Sequence, residues 1–168
     1  FETRAGPPVQ ATVMMSRPRN VGRARVDGVE IGLHRRFATG FGFWASATWT
    51  DSRIEDSGTD LLGVSELSYS INPFFERDRL AVNLSWSWRS ASRTEADMQG
   101  GGVSSFVVAP AGYLDAQATF DLTDHAQIVL TASNLTDTVD QAWEGSPDRL
   151  LQLGRAGPAV SFSFRWTL

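Results

Sequence analysis

The chain has 168 residues, 42% of them hydrophobic and 20% charged, with 15 basic against 19 acidic residues and no cysteine. That apolar content excludes a disordered linker, the absence of cysteine excludes a disulfide scaffold or a thiolate metal site, and the net charge of -4 argues against a nucleic-acid partner. No apolar run reaches the length a membrane-spanning helix needs. The opening FETRAGPP shows no initiator Met and no secretory leader, which reads as a mature product or a piece of a longer chain. All 15 basic residues are arginine, as expected from a GC-rich coding bias.

Taken in chain order, the residues alternate with the period of a strand. A weak strand is expected at 8–17. A clear one follows over 22–37, where Val29, Ile31, Leu33 and Phe37 alternate with Glu30, Gly32, His34 and Arg36, interrupted by Arg35. In 40–54, Phe41, Phe43, Ala45, Ala47 and Trp49 share one face, and only Trp44 breaks the opposite one. Strands are then expected at 63–73 and at 79–95, the latter carrying Leu80, Val82, Leu84, Trp86 and Trp88 on one side. Residues 112–122 place Leu114, Ala116, Ala118, Phe120 and Leu122 against Asp115, Gln117, Thr119 and Asp121. The last two expected strands are 126–141 and 155–168, the second ending in Val160, Phe162, Phe164, Trp166 and Leu168.

The connections carry a second signal. Short ones (38–40, 73–78, 123–125) alternate with long polar ones (52–62, 96–111, 142–154). Membrane barrels of outer-membrane type alternate in this way, with short periplasmic turns and long extracellular loops, and their strands outrun ordinary globular ones. Strands 40–54, 79–95 and 126–141 would ascend, and the last would descend. The expected fold is therefore all-β: an antiparallel, up-and-down transmembrane β-barrel segment of about eight strands, forming one unit over residues 1–168. The apolar face would meet lipid, the Ser, Thr, Asn, Gln, Arg and Asp face would line a wet lumen, and Phe41, Trp49, Trp86, Trp88, Tyr113 and Trp166 would form interfacial girdles.

No pattern of residues reads as catalytic or cofactor-binding. Asp51, Glu55, Asp56 and Asp60 offer oxygen ligands without the spacing of a calcium loop. Gly100-Gly101-Gly102 lacks the Lys-Ser/Thr of a phosphate cradle, and no metal spacing links His34 to His125. The sequons at Asn83 and Asn134 fall in expected strands. Arg165, on the polar face, is expected to pair with Asp115 or Asp121.

The stretch Ala132-Ser133-Asn134-Leu135-Thr136-Asp137, then Gly154-Arg155, then the alternating VSFSFRWTL end, resembles the carboxy-terminal end of TonB-dependent outer-membrane receptors; Asp27-Gly28-Val29-Glu30 resembles a strand entry of the same family. The resemblance spans about 20–168. It implies the last third of a twenty-two-stranded barrel, whose plug domain and TonB-contacting segment are not in these residues. It further implies a non-enzymatic role in the outer membrane of a Gram-negative bacterium, in TonB-dependent uptake of a scarce ligand of the iron-siderophore, cobalamin or glycan class. Implied partners are outer-membrane lipid, the barrel-assembly machinery reading Phe162, Phe164, Trp166 and Leu168, and TonB through the plug. Leu168 departs from the Phe that usually ends the family. Phe106 and Trp143 are the loop aromatics expected near ligand. Two competing readings are a complete eight-stranded barrel, in which 8–17 pairs with 155–168, and a soluble β-sandwich such as a lectin.

Overall fold

A computed structural model describes residues 22–98 and 102–167. The expected strand at 8–17, together with Gly100, Gly101 and Leu168, lies outside the described residues. Eleven strands are present among those described: β1 (Ala24–Arg36), β2 (Phe41–Ile54), β3 (Leu67–Arg77), β4 (Leu80–Arg89), β5 (Ser92–Met98), β6 (Gly102–Val108), β7 (Ala111–Asp121), β8 (Ala126–Ser133), β9 (Val139–Trp143), β10 (Leu150–Arg155) and β11 (Ala159–Trp166). Seven form one antiparallel sheet in the order β1-β2-β3-β4-β7-β8-β11, and the other four form a second sheet in the order β10-β9-β6-β5.

The large sheet keeps a constant register, so the alternation in the sequence becomes two chemically distinct faces. Val29 stands opposite Trp49, Ile31 opposite Ala47 and Leu33 opposite Ala45. The apolar row continues through Ala45↔Ile71, Ile71↔Trp86, Trp86↔Leu114, Ala118↔Leu130 and Leu130↔Phe162. The reverse side carries Thr48↔Ser68, Ser70↔Ser87, Ser85↔Asp115 and Gln117↔Thr131. Among the described residues nothing covers the apolar side. Val29, Ile31, Leu33, Leu84, Leu130, Phe162 and Phe164 are all exposed, and the buried hydrophobic residues among those described are only Ala111, Ala126 and Ala142. A β-sandwich needs a second apolar sheet packed about 10 Å away. This chain has no such layer among its described residues, and the sandwich reading fails on that observation.

The apolar band has a definite height. From Phe41 to Trp49 there are eight residue steps, about 26 Å along the strand. Aromatics bound it at both ends: Phe37, Phe41, Phe75, Phe120, Phe164 and Trp166 towards the short turns, and Trp49, Tyr69, Trp86 and Trp88 towards the long connections. Phe41 packs on Phe75 with ring centroids 4.6 Å apart, and Tyr69 stacks on Trp88 at 5.3 Å. Arg35, which interrupts the alternation, lies in the lower aromatic row with its guanidinium 5.7 Å from the Phe37 ring centre. Aromatic girdles with a snorkelling cation are what a bilayer interface favours. Tyr113 does not belong to the girdle, because Gly112 is the residue in register with Trp88 and Tyr113 therefore takes the polar face.

The turn between β3 and β4 is tighter than expected. β3 runs through Pro73 to Arg77, leaving only Asp78 and Arg79, with Asp78 in the left-handed region (φ 53°). Pro73 has no N–H to give, and the ladder to β4 lapses there, between Ile71↔Trp86 and Phe74↔Asn83, without losing register. The chain turns late because a proline inside a strand costs one ladder bond, whereas the left-handed conformation favours Asp78.

Candidate functional site at the loop end

The two connections expected to be loops, 96–111 and 142–154, hold strands instead. β5–β6 and β9–β10 are hairpins that extend the wall beyond the apolar band, and they zip together where Val107 faces Trp143 and Val108 faces Ala142. The amide of Ala109 donates to the Gln141 carbonyl at 2.8 Å, and Ser104 Oγ donates to Glu144 Oε1 at 2.7 Å, with Arg149 closing on the other carboxylate oxygen. Ala142 is only 3% exposed at this seam. The expected strands 79–95 and 126–141 are each broken in two, at Ser90–Ala91 and at the segment 134–138, and the rest of these strands escaped the sequence reading because they are only 5 to 7 residues long and small polar residues interrupt the alternation.

A corner joins this sheet to the wall, and it is built from the Asn134-to-Asp137 segment. Asn134 takes a left-handed conformation (φ 51°) and is buried. Its amide donates to Asp115 Oδ1 at 2.8 Å; its side-chain oxygen accepts from the Thr138 amide at 2.9 Å, and its Nδ2 reaches the carbonyls of Thr138 and Gly157 at 3.4 Å each. Thr136 and Thr138 both donate to the Gly112 carbonyl, and the Tyr113 hydroxyl donates to Asp140 on β9. Arg155 grips both carboxylate oxygens of Asp137 through Nε and a terminal nitrogen. Asn is the residue that combines a left-handed backbone with a side chain able to bond its own turn. The N-L-T-D and G-R patterns are thus two halves of one latch.

The Arg155 hydrogen bond holds the Asp137 carboxyl below the ordinary carboxylate range. A depressed carboxylate contributes its stabilisation above the unfolded-state value of about 3.9 and loses it as pH falls through the folded-state value. The protection factors of the β9 and β10 amides, with the intrinsic exchange rate at each pH divided out, are therefore expected to be flat from neutral pH down to about 5 and to fall in acid below about 4. Asp137→Asn should remove the acid-dependent step; its persistence would assign the step elsewhere.

At the upper ends of β2 and β4, an open cleft of about 470 Å³ lies among Thr50, Ser52, Asp60, Glu66, Ser92 and Arg93. The 55–66 connection closes one side: the Gly63 amide donates to the Arg93 carbonyl at 2.7 Å, Arg93 sits 4.0 Å from Asp60, and the Trp49 indole N–H reaches Glu66 at 3.3 Å. The four carboxylates noted in the sequence do not converge. Asp51 bonds Arg53 and Asp60 faces Arg93.

Phe106 and Trp143 lie on adjacent strands but on opposite faces, since Val107 is the residue directly across from Trp143. Phe106 shares the side of Ala142 and Asp140, which Tyr113 reaches from the polar face of the wall, so Phe106 continues the lumenal surface. Phe162, Phe164 and Trp166 alternate along β11 as expected, all exposed. Arg165 meets neither expected partner directly: it bonds Gln127 at 3.4 Å, which in turn donates to Asp121 at 2.7 Å, while Asp115 is engaged by Asn134. His34 stacks on Phe74 and His125 lies in the β7–β8 turn. The pairings Tyr113–Asp140 and Asp137–Arg155 were not foreseen from the sequence; a Tyr off the apolar register and a paired Asp and Arg flanking an Asn corner are the signals that carry them.

A single sheet, apolar outside over about 26 Å of strand length, polar inside and extended at one end by paired hairpins, is a segment of transmembrane β-barrel wall. Residues 2–135 match the family described as TonB dependent receptor-like, beta-barrel, and the chain belongs to that family. Its fold is similar to the crystal structure of the ferripyoverdine receptor of the outer membrane of Pseudomonas aeruginosa bound to ferripyoverdine, at 18% identity and a TM-score of 0.65, covering 85% of this chain and 19% of that one. The chain thus spans about a fifth of the length of that receptor. No curated protein matches it.

Proposed function

We propose that this chain supplies part of the barrel wall and loop-end surface of an outer-membrane receptor that takes up a large scarce ligand, of iron-siderophore type, with energy delivered through TonB to a plug domain. The observation that carries the reading is the zipped loop-end sheet. A wall needs no ordered extension beyond the bilayer, whereas a binding surface gains affinity from being ordered before the ligand arrives. The family supports the receptor role, and the neighbouring receptor for ferripyoverdine supports the iron-chelate class. Outer-membrane lipid would cover the apolar side, and the assembly machinery would read the alternating aromatics of β11. The chain binds and lines a path; no bond is made or broken.

The reading is tested by iron-limited growth and radio-iron uptake in a strain whose only route for the chelate is the full-length receptor. Uptake is expected to vanish when TonB is inactivated. Ala142→Arg, which forces a charge into the seam between β6 and β9, is expected to weaken chelate binding about ten-fold or more while the barrel remains heat-modifiable on a gel. Unchanged binding in that variant, or uptake independent of TonB, would sink the proposal.

A further inference from the structure

Among the described residues, the outward side of the wall carries a cluster of four charged side chains at the upper ends of β1 and β2. Arg25 stands directly opposite Arg53, and Asp27 directly opposite Asp51. Like charges opposite one another on antiparallel strands destabilise the pair, and simple neutralisation would set Arg against Asp. The observed order instead gathers two guanidiniums on one rung. Each is held along its own strand through Nε, Arg25 to Asp27 at 2.5 Å and Arg53 to Asp51 at 3.3 Å. Among the described residues the terminal nitrogens of both arginines carry no bond. Both side chains are open to the outside, 71% and 68% exposed, and among the described residues these four line a shallow cleft of about 310 Å³.

Position identifies what this rung meets. The register places Arg25, Asp27, Asp51 and Arg53 on the same side as Val29 and Trp49, the side covered by lipid. Asp51 lies two residues beyond Trp49 and Arg53 four, so with a strand tilt of about 40° they stand about 5 and 10 Å above the aromatic row. The headgroup layer occupies about 5–8 Å on each side of the hydrocarbon core, so the Asp27–Asp51 rung stands within it and the Arg25–Arg53 backbone just above it, with the Nε bonds to Asp27 and Asp51 drawing both guanidiniums back down toward that layer. Arginine's planar fork matches a phosphate with two parallel hydrogen bonds, and two forks side by side match a doubly charged phosphoryl group.

We infer that Arg25 and Arg53 form a clamp for the phosphate of a lipid headgroup in the outward-facing leaflet, with Asp27 and Asp51 orienting the guanidiniums. The inference rests on the proposal that the apolar band lies in a membrane. The test uses the full-length receptor in phosphatidylcholine vesicles containing either phosphatidic acid or diacylglycerol, with bound lipid read by native mass spectrometry. Wild type is expected to retain phosphatidic acid in preference to diacylglycerol. Arg25→Gln with Arg53→Gln should lower that retention about ten-fold or more, and Arg25→Lys with Arg53→Lys, which keeps charge but loses the fork, should fall between. Equal retention by wild type and the Gln variant, with both barrels heat-modifiable, overturns the clamp. Displacement of the lipid by inorganic phosphate also overturns it, in favour of a free-anion site. A receptor that does not float with vesicles overturns the membrane reading; one that floats without preference for the phosphorylated lipid overturns only this inference.

Discussion

Leu84→Arg is expected to lower the unfolding free energy of the membrane-inserted receptor by about 2–4 kcal/mol, whereas Ser85→Arg, one residue along, should cost less than about 1 kcal/mol. Leu84 lies midway along β4 on the apolar side, level with Ala116, so a guanidinium there is held near the bilayer midplane. Ser85 points the other way and stands across from Asp115 on the polar side, where an added arginine finds both water and a carboxylate. Denaturant titration of both variants in phospholipid vesicles gives the comparison. The contrast matters more than either value, because it asks which face lipid covers. Equal losses at both positions would mean that the two faces share one environment, and the barrel-wall reading would fall.

The second large effect is expected at the corner. Asn134→Ala removes three side-chain hydrogen bonds from a buried position, leaves the Thr138 amide without its acceptor, and puts a Cβ-bearing residue with no local hydrogen bond into a left-handed conformation. A lost buried bond costs about 1–3 kcal/mol and an unfavoured left-handed residue about 1–2 kcal/mol, so a local loss of about 3 kcal/mol is expected. Asn134→Gly tolerates the backbone angle but still loses the bonds, and should recover about 1 kcal/mol of that loss. Limited proteolysis reads the effect: cleavage between 139 and 155 should accelerate in the order wild type, Gly, Ala, while the seven-stranded sheet stays resistant. Cleavage that spreads through the wall at the same rate would show that the corner supports the barrel as a whole instead of the loop-end sheet.

The two effects differ in how far they could be read beforehand. The face carrying Leu84 is explicit in the alternation Leu80, Val82, Leu84, Trp86, Trp88, since a strand has a side-chain period of two and no bulge intervenes before Arg89. The role of Asn134 is not explicit. Its motif marks a family, but the reason for the motif appears only when Asp115, Gly112 and Gly157, distant in sequence, arrive around one side chain. Arg165 shows the same limit. Its face was legible, yet its contact with Asp121 runs through Gln127, a relay that depends on which residue stands directly across from it on β8.

What the sequence determined by itself was the wall. The approximate positions of the wall strands and the polarity of each face follow from local periodicity, because each residue on an extended strand has its side fixed by its neighbours. The tertiary structure decided the rest. It showed that the 42% of hydrophobic residues makes almost no interior core, since only three alanines are buried hydrophobics among the described residues. It turned two expected loops into one paired sheet, held by contacts between segments more than 30 residues apart. It also set Arg25 beside Arg53. Pairing between distant strands is fixed by register, and register is a property of two segments together that neither one carries alone.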